Sequence, residues 1–129
     1  MIQTKSKEEK ACFEMAMEIM AKFNCDCNFA KHNNNNYLYL CNPYIDILLT
    51  TCETNTKQCV KVEEVLIKEE YRNKGLGTEL YNTMKSIALK FDVNLGLWCD
   101  LDNNRLFNYY TRLGFKHIET LNDKWLEFN

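Results

Sequence analysis

The chain is predicted to be a single domain of the α/β (α+β) class, one mixed central sheet flanked by helices, on three observations. Residues 37–67 carry strand formers grouped between turn residues, the pattern of an antiparallel meander. The stretch 62–91 then passes from an apolar run through a turn with two glycines into a helix, and residues 94–99 return as a strand. Strand, crossover helix, strand implies a parallel pair with a right-handed connection, so the sheet is mixed. A length of 129 residues, 46% apolar and 12% aromatic, suits one domain with a sizeable core.

Composition narrows the function classes. No apolar run reaches about 18 residues, and the start lacks the charged, apolar, small-residue order of a secretory signal. No membrane span is expected, and the expected location is cytoplasmic. A net charge of −2 exerts no general pull toward nucleic acid or acidic lipid. Seven cysteines, an odd number, point to free thiols in a reducing compartment. Cys25 and Cys27 are one residue apart, not the two of a zinc knuckle, and Cys41, Cys52, Cys59 and Cys99 supply no second pair. No metal is expected, and the cysteines read as small buried hydrophobes.

In chain order, residues 6–23 form the first helix, opened by Ser6 with Glu9 as a capping box, and Cys12, Phe13, Ala16, Ile19, Met20 and Phe23 make its core stripe. Met15, Met17 and Met20 are read as packing residues, not as a binding groove. The asparagine run 33–36 is a turn or loop. Strands follow at 37–40, 44–52 and 59–67, separated by an Asn42-Pro43 turn and a second turn at 54–56. After the polar turn 68–73, Leu76, Leu80, Met84, Ile87 and Phe91 recur at steps of three and four, one stripe of a helix. Asp102 or Asn103 starts a short helix that Gly114 ends as a left-handed cap, and 115–120 with 123–128 close as a hairpin.

The turn before the second helix is where chemistry is expected. Gly75 and Gly77 remove Cβ atoms that would hold a ligand off the backbone, so first-turn N–H groups and the helix dipole make an anion cradle, suited to a phosphate or pyrophosphate. It is neither a P-loop nor a dinucleotide fingerprint, whose third glycine would fall at Leu80. The run Arg72-Asn73-Lys74-Gly75-Leu76-Gly77-Thr78 resembles the Arg/Gln-x-x-Gly-x-Gly/Ala acyl-CoA loop of the GNAT acetyltransferase superfamily. Cys99, Asn103, Tyr110, Leu113, Gly114 and Phe115 fall, in order and spacing, where that family shows its fifth strand, a helix-opening Asn, a Tyr seven residues on, and a Leu-Gly-Phe ending.

The resemblance implies a GNAT fold in which parallel strands four and five splay apart and acetyl-CoA lies in the gap. Its pantetheine arm would pair with the backbone of Val65, Leu66 and Ile67 like an added strand, and Arg72 to Thr78 would hold its phosphates. Asn103 matches a residue that contacts CoA; it also reads as a simple helix cap. The implied chemistry is acetyl transfer from acetyl-CoA to an amine by direct attack in a ternary complex. Tyr110 matches the general acid that protonates the leaving thiolate, although it also reads as a core tyrosine at helical spacing with Leu106 and Leu113, and Tyr109 is its neighbour. Strand alternation puts Glu63 on the side of Val65 and Ile67, and Glu64 with Val62 and Leu66. The resemblance implies a strand-four glutamate as base or water-holder, which points to Glu63, or to Glu64 if a bulge shifted the register; a water chain or an acceptor that arrives neutral stays open in their place. His32 and His117 match no catalytic position.

The chain departs from the family at its front. The helix begins almost at the N-terminus, so the usual first strand and part of the first helical pair are missing or displaced, and the front end is expected to be short; Glu69 stands where proline is frequent. Those departing segments build the family's acceptor pocket, so polyamine, antibiotic amine, protein lysine and protein N-terminus all stay open as acceptors. A GNAT-fold module that binds acyl-CoA or a partner without catalysis is the alternative function, and a thiol-reactive or metal-binding protein a third. The terminal hairpin offers an edge through which a homodimer could pair.

Overall fold

The computed structural model describes residues 6–32, 35–53 and 58–129. In chain order the elements are α1 (Lys7–Phe23), β1 (Asp26–His32), β2 (Asn35–Asn42), β3 (Ile45–Glu53), β4 (Gln58–Ile67), α2 (Leu76–Phe91), β5 (Asn94–Cys99), α3 (Asn104–Arg112), β6 (Lys116–Thr120) and β7 (Lys124–Phe128). The strands form one seven-stranded sheet ordered β1-β2-β3-β4-β5-β7-β6. The β4–β5 pair is parallel and the other pairs are antiparallel, so the sheet is mixed, as expected.

The helix starts follow the caps read from the sequence. Ser6 accepts from Glu9 N at 3.1 Å while its own N–H reaches Glu9 Oε1 at 3.4 Å, the reciprocal capping box that opens α1. The buried side of α1 carries Ala11, Cys12, Met15, Ala16, Ile19 and Phe23. It is rotated from the expected stripe: Phe13 and Met17 are both half-exposed, Met20 is partly buried, and Met15 is fully buried. The bend into β1 is made by Asn24 in the left-handed region, φ 54°.

Strand β1 was not legible. It follows α1 and pairs with β2 from Asp26↔Cys41 to His32↔Asn35, forming a hairpin with it. As an edge strand exposed along nearly its whole length, it carries no apolar alternation to read. Asn35 and Asn36 belong to β2; Asn33 and Asn34, like the turn expected at 54–56, lie outside the described residues. Tyr44 sits in the turn ahead of β3, with Asn42 Oδ1 accepting from Tyr44 N and Ile45 N at 2.9 and 2.8 Å.

One irregularity matters for the site. The β3–β4 ladder pairs Leu48 with Glu64 and Leu49 with Val62, so Glu63 is an extra residue, a β-bulge. The expected alternation is therefore corrected across 62–64. Val62 lies opposite Leu49, on the side of Val65 and Ile67, whereas Glu64 lies opposite Leu48, on the side of Leu66. The Glu63 side chain turns to Lys61, whose Nζ is 3.0 Å from Oε2.

The core lies between the sheet and the helices, with Met15, Ile19, Leu40, Ile47, Leu49, Leu80, Met84 and Leu95 among its fully buried side chains. α1 and α2 run side by side, joined at the surface by Lys90–Glu14 at 3.5 Å and by Lys22 Nζ donating to Thr83 Oγ1 at 3.3 Å. Gly96 of β5 admits the ring of Trp125 from β7; a Cβ there would stand 2.6 Å from Cη2. Trp125 Nε1 donates to buried Glu127 at 2.6 Å and Asn94 Nδ2 to its other oxygen at 3.0 Å, which satisfies the carboxylate. No helix among the described residues is long and apolar enough to cross a membrane. Gly96→Ala is expected to lower stability by about 1–3 kcal/mol through overpacking, read as a lower urea midpoint at unchanged slope.

Candidate active site

The site forms where β4 and β5 separate. Their ladder runs Cys59↔Asn94, Val60↔Leu95, Lys61↔Gly96 and stops. Beyond it β4 continues to Ile67 on β3, and β5 continues to Cys99 on β7. From Val62 onward, the backbone groups of β4 that point away from β3 have no strand to meet, which leaves an open edge beside Val65, Leu66 and Ile67.

The mouth of the gap is closed by the loop into α2. Gly75 caps the helix at φ 79°, a left-handed conformation that suits glycine, and the helical ladder begins with Glu79 N donating to Gly75 O at 3.0 Å. The amides of Leu76, Gly77 and Thr78 lie ahead of that ladder and point out of the helix end. Arg72 pins the loop: its Nε donates to Ile67 O at 2.8 Å, tying the turn to the last residue of β4. Tyr71 stacks on Tyr44 with centroids 4.7 Å apart, and Lys74 Nζ stands 5.6 Å above the Tyr71 ring.

A cleft of about 600 Å³ occupies the gap. Of the residues expected to hold a cofactor, Val65, Leu66, Ile67, Arg72, Asn73, Gly75, Leu76, Gly77 and Thr78 line it, together with Tyr110. Lys74 does not line it; its Nζ stands over the Tyr71 ring. Asn103 caps α3, accepting from Leu106 N at 3.0 Å, and borders a separate hollow with Asp100, Asp102 and Asp123. Glu63 does not line the cleft. Another hollow of about 460 Å³, between α1 and β1–β3, lies toward the end of the sheet where Thr51 meets Val60, away from the glycine loop.

Two cleft residues escaped the sequence reading, Tyr71 and Tyr81, and two that it named as neighbours of Tyr110, Leu106 and Tyr109, also line the cleft. Tyr81 follows Gly77 by one helical turn and faces the cleft for that reason, a signal that was available in the spacing. Tyr109 OH is 3.1 Å from Thr78 Oγ1 and bridges α3 to the first turn of α2. Tyr110 is buried, and its hydroxyl lies 3.1 Å from that of Tyr81. Burial is the main cause that raises the Tyr110 phenol above the ordinary tyrosine range, and it raises Tyr81 well above it. Both therefore stay protonated at neutral pH and can donate. The arrangement can take an anionic group at the α2 N-terminus, an extended chain along β4, and a proton from a phenol in the cleft.

Among the described residues no group of three or more His, Cys, Asp or Glu side chains is placed to hold a metal ion. Burial is the first cause that raises the thiols of Cys12, Cys25, Cys27 and Cys99; Cys12 is pushed up to about 12, and it behaves as a core hydrophobe.

Comparison with known proteins agrees with this geometry. The chain is similar in fold to PaiA N-acetyltransferase from Thermoplasma acidophilum solved with coenzyme A, with a TM-score of 0.56, 22% identity, and coverage of 86% of this chain and 65% of that one. It is similar to a GNAT family acetyltransferase from Elizabethkingia anophelis with acetyl-CoA bound, TM-score 0.56, 11% identity, covering 74% and 76%. A GNAT family acetyltransferase from Listeria monocytogenes matches with TM-score 0.57 at 8% identity over 94% and 86%. The chain thus spans a little under two thirds of the PaiA enzyme's length. A search of curated protein sequences returns no match. The family model described as acetyltransferase (GNAT) family matches residues 40–115, more than half of the chain and all of the cleft-forming unit from β3 to α3. The chain belongs to the GNAT acetyltransferase family.

Proposed function

We propose that the protein is an N-acetyltransferase that moves the acetyl group of acetyl-CoA onto a primary amine by direct attack in a ternary complex. The observation that carries this reading is the splayed gap itself, bounded by a free strand edge, ended by a glycine-loop anion cradle, and holding a protonated tyrosine. In this reading the pyrophosphate sits on the amides of Gly75 to Thr78, and the pantetheine arm pairs with Val65 to Ile67. Tyr110 is the acid: the amine nitrogen adds to the thioester carbonyl, and as the resulting tetrahedral intermediate collapses the C–S bond breaks and the departing sulfur takes the phenol proton.

Glu63 is proposed as the base or water-holder that takes the amine proton. Its side chain turns to Lys61 and does not line the cleft, so it would act through water; the bulge makes Glu64, opposite Leu48 on the side of Leu66, the alternative base. The acceptor is a small-molecule amine or a protein lysine or N-terminus. The thiols of Cys12, Cys25, Cys27, Cys41 and Cys99 suit a reducing compartment, and we place the enzyme in the cytoplasm. That no carboxylate lines the cleft among the described residues favours a second reading, an acyl-CoA-binding module without turnover.

Acetyl-CoA at about a hundredfold its Kd is expected to add roughly 2.7 kcal/mol to the stability and to raise the Tm by several degrees. Gly77→Val should abolish the shift while unfolding stays cooperative, since a Cβ there already meets Tyr109 OH at 3.3 Å and Ile67 Cδ1 at 3.5 Å. No shift for the native protein at millimolar acetyl-CoA would overturn the assignment. Release of free CoA across a panel of amines separates the enzyme from the inert module.

Tyr110→Phe is expected to lower turnover by roughly ten- to ten-thousandfold with little change in acetyl-CoA affinity. A loss at Tyr109→Phe with none at Tyr110→Phe would assign the acid to the neighbouring ring. Because a raised phenol pKa keeps the acid loaded upward in pH, the native rate should show no alkaline fall from Tyr110 below the ordinary tyrosine range. Glu63→Gln should lower kcat/KM for the amine with the acetyl-CoA thermal shift unchanged; an unchanged kcat/KM leaves Glu63 as a strand residue.

A further inference from the structure

We propose that Tyr81 is a positioning residue for the acid, donating its buried hydroxyl to the Tyr110 oxygen and so directing the Tyr110 proton into the cleft. The proposal rests on the reading of the cleft as an acetyl-transfer site and names a residue which that reading did not require. Its basis is the hydroxyl pair at 3.1 Å, with Tyr81 4% and Tyr110 9% exposed. The Tyr81 ring is held by edge contacts to Tyr109, Tyr110 and Phe115 at centroid distances of 6.3, 5.5 and 6.1 Å, which fix where its hydroxyl points.

Two proton arrangements are open to the pair. If Tyr110 donated to Tyr81, its own proton would be spent, and the Tyr81 proton would have to find another acceptor among aromatic rings, a costly placement. If Tyr81 donates to Tyr110, the buried donor is satisfied and the more exposed Tyr110 keeps its proton for the cleft. That second arrangement is also the one that improves as the reaction proceeds. When the tetrahedral intermediate collapses, the sulfur leaves with the C–S electron pair and takes the Tyr110 proton. The bond from Tyr81 then points at a phenolate and becomes charge-assisted, stronger after the transfer than before it. The proton that the proposed base takes from the amine nitrogen passes on to Tyr110 through water, so the cycle closes with acetylated amine and CoA thiol. The other titratable groups facing Tyr110 are Cys99 of β5 and Tyr109 of its own helix, and both disfavour a phenolate; the hydrogen bond from Tyr81 opposes them.

The test is Tyr81→Phe, which keeps the ring and its packing. The expected result is a fall in kcat of about ten- to a hundredfold, with the KM for acetyl-CoA and the acetyl-CoA thermal shift unchanged. In a Tyr110→Phe background, adding Tyr81→Phe should cost less than about twofold more, because the two act through one proton. With ring-carbon-labelled tyrosine, the Tyr110 resonance should move at neutral pH in Tyr81→Phe, a signature that loss of packing alone does not produce. An active native enzyme whose Tyr81→Phe variant keeps full kcat, or whose two losses multiply, overturns the role of Tyr81 and leaves the transferase reading intact. A native protein that acetyl-CoA stabilises but that releases CoA to no amine overturns both.

Discussion

The parting of β4 from β5 is the constraint on which the rest of the site depends. Hydrogen bonding holds the two parallel strands together only as far as Lys61↔Gly96, and two residues later the bulge at Glu63 adds a residue to β4. An inserted residue bends its strand and increases its twist. Past that point β4 follows β3, while β5 is held to β7 by a ladder that reaches Cys99↔Lys124. The bulge thus falls just past the point where the sheet divides into two leaves with a free edge between them. The glycine loop, fastened to Ile67 by Arg72, lies across the end of that edge.

The two tyrosines of α3 divide their work by depth. Tyr109 reaches the surface of the first helical turn through Thr78 and shapes the cradle, and Tyr110 is sunk beside Tyr81 and Phe115. Adjacent residues on a helix are about a hundred degrees apart, so neighbours cannot share a direction. Low dielectric around the deeper pair strengthens the hydrogen bond between them and keeps both phenols protonated.

What was readable in the sequence was what local physics determines. The capping box at Ser6 and Glu9, the stripe of α2, the six residues of β5 and the left-handed Gly114 all stand where side-chain chemistry or glycine put them. The cleft loop was readable for the same reason, since its amides and glycines act within a few residues. Strand β1 was not, because an edge strand exposed on both sides leaves no apolar period. The direction of Glu63 was missed because strict alternation assumes an unbroken ladder, and the bulge is visible only against the partner strand β3. The Tyr81–Tyr110 bond was hidden by its separation of 29 positions along the chain, although each residue alone could be placed on its helix face.

The interlock of Gly96 with Trp125 carries a further consequence. The chain has two tryptophans, and the Trp98 ring lies tilted against that of Trp125 with centroids 5.0 Å apart, one partly exposed and the other buried. Both belong to the β5–β7 leaf that forms one side of the gap. The indole emission of the protein therefore comes from a single corner, so it reports the integrity of that leaf and not an average over the molecule. A molecule in which β5 and β7 slipped while α1, β2 and β3 stayed packed would look unfolded by fluorescence and largely folded by its amide circular dichroism.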